Sequence, residues 1–251
     1  MKTGEFADHF SGHAAAYAQF RPVYPSALYD WLAAQTAQHD LAWDVATGSG
    51  QAAIPLADRY AAVFASDPSA EQLAQAHAHP RVTYACEPAE QCSLPDASVD
   101  LVTVAQALHW FNHPKFFAEL QRVLKPDGLF AAWCYALMTI APEIDALLLH
   151  FYDGVIGPYW PPERRILERG YVDIEIPLTP VEVPQFAMTA EWNLAQVLGY
   201  LATWSATQRA SKALGRDPLA EIRENLSQLW GSPQQVRRVT WPLAMRAGKL
   251  G

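Results

Sequence analysis

The sequence is short of cysteine, of positive charge and of long apolar runs. Three cysteines occur in 251 residues, Cys86, Cys92 and Cys134. The count is odd and no pair has the Cys-x-x-Cys spacing. This argues against a disulfide framework and for reduced thiols in a cytoplasmic protein. Lysine and arginine number 18 against 26 aspartates and glutamates, a formal charge of −8. No basic stripe stands ready for phosphates, so no nucleic-acid partner is expected. No apolar stretch approaches the roughly 20 residues of a membrane span, and no membrane partner is expected. The opening MKTGEFADHF lacks the apolar segment of a signal peptide. Internal repeats and low-complexity tracts are absent. His9 and His13, like His109 and His113, stand four apart but have no evident third ligand, so no metal is expected.

What is present is a large apolar complement, 51% of residues, with 18% charged. That supports a sizeable core. Between residues 40 and 135, short apolar runs alternate with amphipathic ones. Leu41–Ala46, Ala61–Ser66, Val82–Cys86, Val99–Ala105 and Leu129–Trp133 read as strands. Gln51–Tyr60, Ser69–Ala78 and Lys115–Leu124 read as helices, with Ser69 a cap and Pro126–Gly128 a turn. Such alternation implies βαβ units and a parallel sheet whose ligands bind beyond the carboxyl ends of the strands. Ahead of it, Phe6–Phe20 has an amphipathic helical stripe that Arg21-Pro22 should end. Beyond it, Val172–Pro177 and Val236–Ala247 read as strands, and Trp192–Ser205 and Asp217–Trp230 as helices.

Asp44-Val45-Ala46-Thr47-Gly48-Ser49-Gly50 is the most informative stretch. Its glycines permit a sharp turn and close approach of a ligand to the backbone, just before a helix N-terminus. Two cofactor classes use such loops. A dinucleotide places pyrophosphate there, and Gly48-x-Gly50-x-x-Ala53 loosely satisfies that fingerprint. S-adenosylmethionine places its methionyl part there. Asp44, immediately ahead of the loop, favours the second: a carboxylate repels pyrophosphate and attracts a ligand carrying an ammonium and a sulfonium. Asp67 ends the second strand 23 residues later, the spacing of an acid that accepts from ribose hydroxyls. Pro68 can offer an apolar face to adenine. Asp67-Pro68-Ser69 also suits a helix cap.

With these residues, Glu87–Asp100 and Leu120–Gly128, the chain resembles class I S-adenosylmethionine-dependent methyltransferases of the type 11 kind. Ala105–Phe111, Tyr17–Pro25, Tyr159–Arg164, Thr203–Ala206 and Trp241–Leu243 narrow the likeness to the trans-aconitate methyltransferase-like group. The resemblance implies an α/β, Rossmann-like fold. Its mostly parallel seven-stranded sheet has an antiparallel final strand and helices on both faces, plus an N-terminal helix and a C-terminal helical insertion capping the site. It implies one methyltransferase domain over 1–251, with an N-terminal helical cap at 1–34, a cofactor-binding core at 35–137, and substrate-side helices and closing strands at 138–251. It assigns cofactor contacts to Tyr17, Arg21, Asp44, Ala46, Thr47, Gly48, Gly50, Asp67, Pro68, Ala89, Glu90, Ala105 and Gln106. Arg21 would lie near the donor's carboxylate, and Ala89 and Glu90 at the adenine edge. The family usually has glycine where this chain has Ala46.

His109-Trp110-Phe111 falls where the acceptor should meet the methyl group. His109 is the candidate catalytic residue, a general base for a hydroxyl or amine, or a hydrogen-bond partner. Trp110, Tyr159, Trp160 and Trp204 are candidate substrate contacts, with core packing the alternative for the last three. The expected activity is methylation of a small molecule, O-methylation of a small carboxylic acid above all, leaving S-adenosylhomocysteine. The competing readings are an NAD(P)-binding oxidoreductase on a similar sheet, and a cofactor-binding protein without turnover. The acid at Asp44 and the stretch Gln106–Phe111 weigh against the oxidoreductase.

Overall fold

A computed structural model describes residues 22–251. The Phe6–Phe20 helix, Tyr17 and Arg21 lie outside the described residues. In chain order the elements are α1 (Ser26–Ala34), β1 (Leu41–Val45), α2 (Ala53–Leu56), β2 (Ala62–Ser66), α3 (Ala70–Leu73), β3 (Val82–Ala85) and β4 (Val99–Ala105). Then follow α4 (His113–Val123), β5 (Leu124–Cys134), α5 (Pro142–Leu149), α6 (Arg164–Glu168), β6 (Thr179–Val181) and β7 (Phe186–Trp192). The chain closes with α7 (Leu194–Ala202), α8 (Ser205–Leu214), α9 (Ala220–Trp230) and β8 (Arg237–Lys249).

The strands form a mixed sheet in the order β3-β2-β1-β4-β5-β8-β6, and β7 also pairs with β8. β1 to β5 run parallel to one another, whereas β8 runs antiparallel to β5 and β6. The expected seven strands are thus eight among the described residues, and the antiparallel last strand lies inside the order. β4 is buried along almost its whole length, as a central parallel strand covered on both faces must be.

Register divides the side chains of the sheet. Tyr84, Ala65, Asp44, Thr103 and Ala131 stand opposite one another across five strands and share one face. Trp133, two residues beyond Ala131, shares it too. Trp43, Phe64, Val102, Val104 and Phe130 take the other face and pack with Phe116, Phe117 and Leu120 of α4.

Several boundaries depart from the sequence reading. Regular helix after the glycine loop is confined to Ala53–Leu56. The coil nevertheless continues through Ala57 N–H to Ala53 O, and tightens to three-residue spacing at Asp58 and Arg59. Pro55, which has no N–H to give, lies in this turn. Ser69 does cap α3, accepting from Gln72 N–H, but that helix also ends early. Pro126–Gly128 is a kink inside β5: Asp127 takes φ +61° and the pairing with β4 shifts register there. Val172–Pro177 is not a strand. Gly170 and Tyr171 both turn left-handed, and the Arg246 guanidinium donates to the carbonyls of Tyr171 and Ile174. The strand falls later, at Thr179–Val181, with Pro180 at the edge of the sheet. β7, α5 and α8 were not anticipated. α7 starts at Leu194 because Asn193 and Gln196 form a capping box.

The chain divides into two compact units. One holds Val23–Ala136, Pro162–Met188 and Trp241–Gly251, and so most of the sheet. The other holds Leu137–Pro161 and Thr189–Thr240, chiefly helices. Its core is aromatic: the rings of Trp160 and Trp204 lie 5.9 Å apart, Tyr152 lies 5.0 Å from Trp160, and Tyr200 meets Trp204 edge-on at 5.6 Å.

Candidate active site

The site is built where β1 and β4 stop, the point at which the strand order reverses and a crevice opens in such sheets. Asp44 is the next-to-last residue of β1 and is 1% exposed. The Thr47 hydroxyl donates to its Oδ2 at 2.6 Å and the Thr103 hydroxyl to its Oδ1 at 2.8 Å. Burial first, helped by the negative charge of Asp67, raises its pKa to about 6 against the pull of these hydroxyls. Asp44 therefore both closes its loop through Thr47 and holds a poorly compensated negative charge beneath it.

Three residues of the loop need left-handed backbone: Ala46 at φ +52°, Gly48 at +58° and Gly50 at +84°. The glycine usual at position 46 is explained by that angle. Here a methyl-bearing residue takes it, at a cost of about 1–2 kcal/mol. Gly50 must be glycine for a second reason, since a Cβ there would overlap the Tyr84 hydroxyl. At Gly48 a Cβ would meet nothing nearer than Gln72 Oε1 at 3.8 Å, so space lies open beside the backbone. Thr47 N–H donates to Ser66 O, tying the loop to the end of β2.

Asp67, just past β2, accepts from Gly48 N–H on Oδ2 and from Ser69 N–H on Oδ1, each at 2.9 Å. Both the cap and the loop contact are therefore present. A carboxylate has about four lone-pair directions, so the group suits several donors at once. Pro68 is half-buried beside it. Ala89 is buried, and Glu90 Oε1 accepts from Asn112 N–H at 2.8 Å, joining the loops that follow β3 and β4.

Ala105 ends β4, and Gln106 follows it at φ +61°. Its backbone N–H donates to Trp133 O at 2.9 Å and its side-chain Nε2 to Tyr135 O at 3.1 Å. Its Oε1 is buried with no hydrogen-bond partner among the described residues. His109 lies in a short turn, Leu108–Trp110, 7% exposed. Its Nδ1 pairs with the Tyr171 hydroxyl at 3.2 Å, and the Trp110 ring lies 4.6 Å away. Burial first, then the charges of Arg164 and His113, lower its pKa to about 3, so the ring is neutral at physiological pH. His113 Nε2 pairs with Leu108 O instead of facing His109.

The structure thus gathers Asp44, Ala46, Thr47, Gly48, Gly50 and Asp67 around one turn, and sets Gln106, His109 and Trp110 beyond the neighbouring strand. Tyr159, Trp160 and Trp204 belong to the helical unit. There Trp160 and Trp204 pack in the aromatic core, and the Tyr159 carbonyl accepts from Arg209. Three residues joined to site residues by hydrogen bonds were not foreseen. Thr103 follows from the register with Asp44. Tyr171 is a bulky residue at φ +62°, of the kind that marks strained functional turns. Trp133 stands at the end of β5.

Residues 43–132 match the family described as methyltransferase domain. A Dictyostelium discoideum protein named as a methyltransferase is 36% identical over 226 residues, which cover 88% of this chain and 86% of that protein. The chain belongs to the methyltransferase family. A solved structure from Anaeromyxobacter dehalogenans, named as a type II methyltransferase, is similar at 45% identity with a TM-score of 0.87, covering 91% of this chain and 97% of that one. A Saccharomyces cerevisiae protein named as an S-adenosylmethionine-dependent methyltransferase is 25% identical over 228 residues, 76% of this chain and 78% of that protein. Membership makes the chain an S-adenosylmethionine-dependent enzyme that leaves S-adenosylhomocysteine.

The methyltransferase's own groups fit that cofactor. The buried carboxyl of Asp44, the Asp67 carboxylate and the unpartnered Gln106 Oε1 are all acceptors. Such a set suits a ligand that brings an ammonium and ribose hydroxyls, and would repel a pyrophosphate.

Proposed function

We propose that this methyltransferase methylates a small carboxylic acid on a carboxylate oxygen, as a member of the trans-aconitate methyltransferase-like group. The observation that carries the reading is the state of His109, neutral, buried and hydrogen-bonded to Tyr171. A group whose pKa is about 3 is a weak proton acceptor at neutral pH. A phenol or alcohol acceptor would need a stronger one. A carboxylate needs none, because it is already ionised.

When bound, S-adenosylmethionine supplies a methyl group on a sulfonium, open to direct displacement. The protein's task is to bind, align and exclude water, and positioning of this kind is worth roughly 7–11 kcal/mol. Asp44 attracts the cationic end of the donor from beneath the loop, and Gln106 Oε1 accepts from its ammonium. Asp67 accepts from the ribose hydroxyls while it keeps Gly48 and Ser69 in place. Pro68 covers the adenine, and Ala89 N–H with Glu90 reads its edge. His109 and Trp110 border the acceptor, His109 as a hydrogen-bond partner. Residues 1–251 are assigned to a single methyltransferase domain whose cofactor-binding part is 35–137. Trp160 and Trp204 keep the packing role described above, and Tyr159 holds Arg209 through its carbonyl.

Net charge of −8 supports a free small molecule over a nucleic acid as substrate. The unpaired thiols of Cys86, Cys92 and Cys134 support a reducing, cytoplasmic setting. Among the described residues no helix is long and apolar enough to cross a membrane.

The test is a panel of small carboxylic acids, phenols and alcohols offered with labelled donor, followed by kcat against pH at saturating cofactor. Ester products, and a kcat without an ionisation near the ordinary histidine value, are expected. A phenolic product whose kcat titrates in that range, with the step lost in His109→Gln, would overturn the reading.

A further inference from the structure

Two buried side-chain polar atoms at the carboxyl ends of β4 and β5 have no hydrogen-bond partner among the described residues: the Gln106 amide oxygen and the Trp133 indole N–H. Trp133 is fully buried and shares its sheet face with Asp44 and Thr103. Buried polar groups are normally paired, and an orphan of this kind asks for a ligand, an ion or a water.

The pair is also fixed in place. Ala105 is the register partner of Trp133, and Gln106, next along, donates its backbone N–H to Trp133 O. Its Nε2 is spent on Tyr135 O, which leaves the amide oxygen as the end that is offered. Gln106 holds this arrangement in left-handed backbone, a strained choice for a residue with a side chain. The Tyr24 ring stands edge-on to Trp133 at 5.5 Å and backs the indole. One donor and one acceptor, held by a single strand pairing at the carboxyl ends of β4 and β5, match a group that carries an anion and a cation on one carbon.

We propose that Trp133 and Gln106 together grip the α-amino-acid end of the donor, the indole N–H donating to its carboxylate and the amide oxygen accepting from its ammonium. The proposal rests on the cofactor reading above and adds Trp133 to it, on a strand to which no cofactor contact was assigned. A bond from a neutral donor to a charged, buried oxygen is among the stronger hydrogen bonds, so its loss should be measurable as binding.

The experiment is calorimetry on the full chain with two ligands, S-adenosylhomocysteine and methylthioadenosine. The second keeps adenine, ribose and sulfur but lacks the amino-acid end. Trp133→Phe is expected to weaken S-adenosylhomocysteine about tenfold or more while methylthioadenosine binds as before. Equal weakening of both ligands would mark a packing defect and overturn the proposal, as would unchanged binding of both. A wild type that binds neither ligand would remove the cofactor reading, and this proposal with it. Should Trp133→Phe fail to fold, the indole N–H resonance of Trp133 in nitrogen-15-labelled wild type decides. It should move on adding S-adenosylhomocysteine and stay on adding methylthioadenosine, and a resonance that responds alike to both would contradict the proposal.

Discussion

Asp44 and Asp100 are both buried acids on neighbouring parallel strands, one at the carboxyl end of the sheet and one at the amino end. Asp100 accepts from the backbone N–H groups of Asp40 and Leu41, each at 2.9 Å, and pairs with Lys125 Nζ at 2.8 Å. Its hydrogen bond raises the pKa of Lys125, which also reaches Asp40. Asp44 has two threonine hydroxyls, the backbone N–H of Ala53 and no cation among its hydrogen-bond partners, and its pKa climbs to about 6. The same side chain, equally buried, is fully answered at one end and left wanting positive charge at the other. The answered acid holds the chain entries into β1 and β4 together. The other costs the fold stability and gains a use only when a cation arrives.

The sharpest break of this comparison is at Asp100. Asp100→Asn removes a buried charge from Lys125 and weakens two backbone contacts, and should lower unfolding free energy by about 2–4 kcal/mol in denaturant titrations. S-adenosylhomocysteine affinity of the folded fraction should stay close to wild type. Asp67→Ala probes the carboxyl end. It should weaken S-adenosylhomocysteine about tenfold or more by calorimetry, because the ribose acceptor and the Gly48 anchor go together.

The acidity of Asp44 gives a pH signature. In the unfolded chain it ionises near 3.8 and in the folded protein near 6. The folded state therefore holds the proton more tightly, so this group's contribution to stability is full below about pH 4 and is lost as pH rises to about 6. Ligand binding runs the other way, because the cationic donor wants the ionised form. Affinity should fall about tenfold from pH 7 to pH 5, as that form drops to about a tenth of the population. A flat affinity over that range would separate Asp44 from the ligand. The smallest effect belongs to the loop. Ala46→Gly should relieve left-handed strain of about 1 kcal/mol and raise Tm by about 2–4 °C, read by thermal unfolding without ligand.

The parts of this architecture that were legible in sequence are local. β1 and its loop could be read because an apolar run, an acid and two glycines sit within ten residues. The Ser69 cap was readable for the same reason. What escaped depends on register or on distant chain. Thr103 meets Asp44 only because β4 pairs with β1. Tyr171 reaches His109 across 62 residues, and that burial is what turns a candidate base into a neutral partner. Val172–Pro177 carries a strand-like pattern, but Arg246, far along on β8, claims the carbonyls of Ile174 and of Tyr171 just before the segment. Trp133 looks like any core aromatic in sequence, and only its unpartnered N–H sets it apart. Ala46 was visible as a departure from glycine, whereas its cost needed the backbone angle.

Asp44→Asn, measured for thermal stability and for S-adenosylhomocysteine affinity at pH 7, bears most directly on the claim that this acid serves the ligand at the expense of the fold. The neutral amide removes a buried charge that costs up to about 3 kcal/mol to ionise. The account predicts a ligand-free Tm at or above wild type together with affinity weakened about tenfold or more. A lower Tm with wild-type affinity would contradict it, and would make Asp44 a second Asp100.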